Sequence, residues 1–109
     1  MRNKKAQYIV VLITCPSQKE AIKIKDVLLK AKKAACINII PRVDSFFWWK
    51  GKIDSCQEVL LIAKTRKDVF RKVVKLVKKN HKYTVPEIIA LPIIAGNKDY
   101  LDWINKTVK

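Results

Sequence analysis

Histidine occurs once in this 109-residue chain, as His81, at the head of the run His81-Lys82-Tyr83-Thr84-Val85-Pro86-Glu87. An imidazole close to a carboxylate can move protons or supply one bond to a metal. The other soft donor placed to join it is Cys15, at the end of the first apolar run. The two meet if the first strand leaves the sheet at the same end as the His81 loop. A thiolate with an imidazole favours copper or zinc over magnesium or calcium. Two donors from one chain do not close a site, so further ligands would have to come from a dimer or trimer interface. Spacing alone gives the larger share to unliganded thiols and a solvated histidine.

Other chemistries lack their residues. There is no Ser/His/Asp order, no pair of closely spaced carboxylates and no glycine-rich phosphate loop. Gly51 and Gly96 are the only glycines, too few for a backbone phosphate cradle. Cys15, Cys36 and Cys56 are widely spaced and form no Cys-x-x-Cys, which argues against a zinc ribbon or a thioredoxin-type motif. Cys36 and Cys56 read as buried free thiols. No catalytic constellation emerges.

The elements that must position these residues follow from patterning. Tyr8 to Thr14 is a continuous apolar and β-branched run, the signature of a central strand buried on both faces. Ser17-Gln18-Lys19-Glu20 is a capping box that starts a helix, with Ala21, Ile24, Leu28 and Ala31 on its apolar stripe. Two long extended runs follow, Ala35 to Trp49 and Lys52 to Thr65, the first interrupted by Pro41, which implies a bulge, bend or edge. Thr65-Arg66-Lys67-Asp68 is a second capping signal, ahead of the stripe Phe70, Val73, Val74 and Val77. Pro86 to Ala95 reads as an irregular or edge strand, and Tyr100 to Val108 as a final helix. The order β-α-β-β-α-β plus one helix is the ferredoxin-like α+β pattern.

The two long runs form a β-hairpin, with Gly51 supplying the positive φ of its turn. Some 13 residues of strand reach roughly 44 Å. A compact domain of this length has a radius of gyration of about 13 Å, so the hairpin should overhang its core. Its tip carries Phe46, Phe47, Trp48 and Trp49. Exposed apolar patches of that kind mark interfaces, and the expectation is an oligomer whose hairpin docks on a neighbour. The alternative is that the aromatics fold back onto their own core.

The formal net charge is +15, which invites nucleic acid as a partner. Yet 20 of the 24 basic residues are lysines spread over helix faces, and arginine is the residue that pairs bidentately with phosphate and guanine. The third strand also lacks the aromatics expected of an RNA-recognition motif. A lysine-rich solvated surface is the better reading. No run approaches the ~20 apolar residues of a membrane span, and the basic start lacks the apolar stretch and cleavage site of a signal peptide. The expectation is a cytoplasmic protein, with residues 1–6 a flexible basic tail and 7–109 one domain.

Several motifs now stand in order: Ala34-Ala35-Cys36-Ile37-Asn38, Trp49-Lys50-Gly51-Lys52-Ile53, Lys64-Thr65, His81-x-Tyr83-x-x-Pro86-Glu87 and Asp99-Tyr100-Leu101-x-Trp103. Together they resemble the CutA divalent-cation tolerance family, from about Ile9 to the C-terminus. The resemblance implies a ferredoxin-like subunit, a homotrimer built by the long hairpins, and a non-enzymatic role in tolerance of copper and other divalent metals. Phe46, Phe47, Trp48 and Trp49 would lie in the trimer interface. Some family members carry a cysteine late in the first strand and two adjacent histidines before the tyrosine. Here those positions hold Ile13 and Asn80, and only His81 remains. Cu(II) or another divalent metal is the implied cofactor, bound weakly through His81, with Cys15 a conjectured second ligand outside the family match. Lys64, Tyr83 and Glu87 match family positions near intersubunit clefts. The architecture is also similar to the trimeric PII regulators, which gives an alternative: a signalling module that binds a small anionic metabolite or nucleotide in those clefts.

Overall fold

The computed structural model describes residues 7–109; the basic segment 1–6 lies outside the described residues. Four strands form one antiparallel sheet in the order β2-β3-β1-β4. They are β1 (Tyr8–Cys15), β2 (Cys36–Trp49), β3 (Lys52–Arg66) and β4 (Ile88–Pro92). Helices α1 (Gln18–Lys30), α2 (Phe70–Asn80) and α3 (Lys98–Thr107) complete a mixed α+β fold.

Alternation in β1 and β3 builds the core. Ile9, Val11, Ile13, Cys15, Val59, Leu61 and Ala63 are buried, against Ala21, Ile24 and Leu28 of α1 and Val73 and Val77 of α2. The opposite face is different. Val10, Leu12 and Ile62 are only half-buried, and Ile89 and Leu91 of β4 are exposed. The expectation that β1 is buried on both faces therefore holds on one face among the described residues; on the other Val10 and Leu12 are only half-buried.

Ser17 Oγ accepts the Glu20 N–H at 3.2 Å, so α1 starts where the capping box puts it. It ends in a Schellman motif: Lys33 N–H donates to Leu28 O and Lys32 N–H to Leu29 O, both at 3.0 Å. Lys32 takes the left-handed position at φ 57°, where glycine is usual. The second capping signal does not cap. Thr65 is still in β3, and its hydroxyl donates to Lys33 O at 2.6 Å instead. A 3-10 turn at Lys67–Val69 leads into α2. Arg66 pairs with Asp68 at 2.9 Å and donates to the Asn105 and Val108 carbonyls, closing the C-terminal end of α3.

β2 and β3 pair from Cys36↔Lys64 to Trp49↔Lys52. Between Ile40 and Val43 the register slips, where Pro41 cannot donate to the ladder. Lys50 (φ 51°) and Gly51 (φ 78°) both have positive φ, the pattern of a two-residue type I′ turn. The sequence pointed to Gly51 alone. The molecule measures 49 × 27 × 22 Å, elongated by this hairpin. Phe46, Phe47, Trp48 and Trp49 are 73, 37, 72 and 57 % exposed, so they do not fold back onto the core.

The fourth strand is shorter than the expected run over 86–95. Ile88–Pro92 pairs along β1 from Ile13 to Ile9, Ile93 N–H adds one bond to Tyr8 O at 2.9 Å, and β4 is an edge strand. Asn97 caps α3 by accepting the Asp99 N–H. Among the described residues no helix is long and apolar enough to cross a membrane.

Candidate metal centre

Three elements end at one point. β1 finishes at Cys15, α1 places Glu20 in its first turn, and His81 terminates α2. Cys15 Sγ, a Glu20 carboxylate oxygen and a His81 ring nitrogen all lie within 4.8 Å of one another. All three side chains are buried.

The hydrogen bonds assign the imidazole. Nε2 lies 2.7 Å from the Thr14 carbonyl, which can only accept, so Nε2 carries the proton. Nδ1 is then the lone-pair nitrogen, and it accepts the Tyr83 N–H at 3.0 Å. The Glu20 carboxylate lies 3.3 Å from the same Nδ1 and accepts the Lys82 N–H at 3.3 Å. Backbone groups thus hold both side chains close to Cys15.

A second carboxylate stands behind the first. Tyr83 donates its hydroxyl to Glu58 at 3.0 Å, and its ring sits 4.9 Å from that of His81. Burial, and then the bond to Glu58, push the Tyr83 hydroxyl above the usual phenol range. Burial pushes the Cys15 thiol up to about 12, with Glu20 and Glu58 adding to it. Without a cation between them, Cys15 is a protonated thiol.

The donor set fits a small divalent ion. It offers one S and one O atom, and one N atom once His81 Nδ1 gives up the Tyr83 N–H; the imidazole is oriented through its other nitrogen by a backbone carbonyl, as metal-bound histidines commonly are. A divalent cation would neutralise the buried Glu20 carboxylate and stabilise the Cys15 thiolate formed on binding. Three protein donors leave a coordination position open.

The pairing of Cys15 with His81 follows the sequence reading. Glu20 was missed. Its sequence signal is its register with Ile24 and Leu28, four and eight residues on, which puts a carboxylate on the apolar stripe. In a capping box that carboxylate would turn back to the Ser17 N–H. Here it turns to the 81–82 backbone. Glu58, also buried, was missed as well. Ile13 lies in the core, and Asn80 donates to Leu76 O at 2.8 Å, so neither offers a ligand.

Lys64, Tyr83 and Glu87 do not converge within one chain. Lys64 bonds Asn38 Oδ1, with Cys36 Sγ at 4.0 Å. Tyr83 bonds Glu58, six residues and about 20 Å away along β3. Glu87 is exposed at the start of β4.

Comparison with known proteins bears on this arrangement. Residues 9–107 match the family described as CutA1 divalent ion tolerance protein. The divalent-cation tolerance protein CutA of Archaeoglobus fulgidus is 50 % identical over 99 residues, covering 91 % of this chain and 96 % of that one. The chloroplastic protein CutA 1 of rice (Oryza sativa subsp. japonica) is 42 % identical over 101 residues, 93 % of this chain; the chain spans 57 % of the rice protein's length. Among solved structures, that of the Archaeoglobus fulgidus protein, described as periplasmic, superposes with a TM-score of 0.90 at 47 % identity, over 94 % of this chain and 99 % of that one. A match that runs from β1 into the last turn of α3, with relatives this similar over nearly the whole chain, places the protein: it belongs to the CutA1 divalent ion tolerance family.

Proposed function

We propose that the chain is a non-enzymatic divalent-cation-response protein that binds one ion per subunit, Cu(II) foremost, through Cys15, Glu20 and His81. The observation that carries this is the meeting of three unlike donor atoms, from three separate elements, within 4.8 Å. The names of its relatives, tolerance proteins for divalent cations, support it. Because the thiol must lose its proton to bind, affinity at neutral pH is modest.

Residues 7–109 form one ferredoxin-like domain in this reading, and three copies associate. The uncovered apolar face of the sheet and the exposed aromatic tip support that assembly. Cys15, Cys36 and Cys56 are all free thiols, in keeping with the reducing cytoplasm. The alternative is a signalling module that holds a small anionic metabolite or nucleotide in intersubunit clefts; Lys64, Tyr83 and Glu87 do not meet within one chain, so such a cleft would need a second copy to complete it.

The test is calorimetric titration of metal-free protein with Cu(II), after light scattering has fixed the oligomer mass. Saturation at one ion per subunit, weakened about tenfold or more in His81→Ala, is expected. Equal heats from wild type and His81→Ala would overturn the site.

A further inference from the structure

The outer side of the Glu20–His81 pair is a groove of about 740 Å³ between α1 and the end of α2. That is the size of a small-molecule site. Lys19, Lys23, Lys30, Lys79 and Lys82 line it, and none of their ammonium groups pairs with a carboxylate among the described residues. Its two carboxylates are otherwise engaged. Asp26 pairs with Lys25 at 2.7 Å, and Glu20 is turned to His81 and the Lys82 N–H. The walls are therefore basic, and the Glu20 and His81 side chains, 5 and 0 % exposed, lie just beneath the groove surface.

A bare divalent cation meets an unfavourable field on this route, because the chain as a whole carries +15 and the groove concentrates that charge. A small polyanion meets the opposite field. We propose that the groove binds a small chelating polyanion, a carboxylate or phosphate compound, and that the divalent ion reaches Glu20 and His81 as its anionic chelate and not as the free aquo cation. This rests on the metal reading above for the ion, but not for the anion, and the two parts can be measured separately. Delivery is ligand exchange without redox change. The chelator's oxygens leave the ion as Glu20, His81 and Cys15 take it, and the Cys15 proton passes to solvent or to the departing chelator.

The experiment uses the full chain, with citrate and pyrophosphate as metal-free probes and Co(II) as a redox-inert ion. Titration with citrate or pyrophosphate alone should give saturable heat in wild type and in His81→Ala, lost in the Lys23→Glu/Lys79→Glu double variant. Stopped-flow absorbance of the thiolate–Co(II) band should then show Co(II)–citrate associating about tenfold faster than the aquo ion at ~20 mM salt. Raising salt to ~200 mM should slow the chelate and speed the free ion. Absence of heat from both anions overturns the groove site, whatever the metal does. Anion binding without any Co(II) band, in wild type as in His81→Ala, overturns the metal reading and chelate delivery and leaves the anion site standing. A free ion that associates as fast as its citrate chelate, with the same salt dependence, overturns delivery alone.

Discussion

The His81 Nε2–H donates to the Thr14 carbonyl at 2.7 Å, and this one bond couples the end of the central strand to the end of α2. Thr14 precedes Cys15, so the residue that orients the imidazole is covalently next to the thiol it faces. The tautomer, the ring position and the sulfur position all depend on the same strand end.

His81→Ala should therefore weaken more than metal binding. It leaves the Thr14 carbonyl and the Tyr83 N–H without partners, at a cost of about 1–3 kcal/mol. Urea unfolding of metal-free protein measures this. A variant as stable as wild type would show that water or local rearrangement replaces both bonds.

Ion binding should release a proton. The Cys15 thiol, pushed up to about 12, is protonated at neutral pH and must ionise to bind a cation. Calorimetry in buffers of different ionisation enthalpy should give about one proton per ion for wild type and close to none for Cys15→Ala. Equal proton counts would place the thiol outside the coordination sphere.

The same thiol predicts an alkaline loss of stability. Its folded pKa lies above its unfolded value near 9, so burial favours the neutral form. Its stabilising contribution is complete below pH 9 and is lost as the pH rises from 9 toward 12. Tyr83, raised as well, adds to the decline from pH 10 upward. Cys15→Ala should flatten the first part of that curve in denaturant titrations of metal-free protein.

Trp49→Ala should weaken assembly. A truncated aromatic at the centre of an interface costs about 2 kcal/mol or more, some thirtyfold in dissociation constant. Sedimentation across a concentration series in dilute denaturant measures it. Unchanged mass at every concentration would remove the tip from the interface.

Lys32→Gly should stabilise the chain. Lys32 holds φ 57° in the Schellman motif, where a side chain costs about 1–2 kcal/mol and glycine costs little. A net gain of about 0.5–1 kcal/mol is expected, after the greater chain entropy of unfolded glycine is subtracted.

Local patterns made much of this fold legible. A continuous apolar run gave β1, a long extended run gave β3, the Ser17 box gave the start of α1, and the positive-φ requirement gave the turn at Gly51. Pro41 marked the register slip because its missing N–H is a property of the residue itself. Thr65 misled for the converse reason. A threonine before a helix can cap it or stay in a strand, and the nearby Lys33 carbonyl, far away in sequence, decides which. Glu20 was hidden in the same way. Its residue type suits a capping box, and only the approach of the 81–82 backbone turns it toward Cys15. Cys15 and His81 stood out because soft donors are few.

The Lys50–Gly51 turn also constrains how this hairpin can change length. With only two residues in the turn, register along both arms is set from the tip down. Adding one residue to each arm would swap the faces of everything beyond the addition, sending outward side chains inward. Adding two to each arm restores them. Insertions and deletions in the arms should therefore be tolerated in matched pairs of two, while a single extra residue survives only as a second bulge of the kind already present beside Pro41.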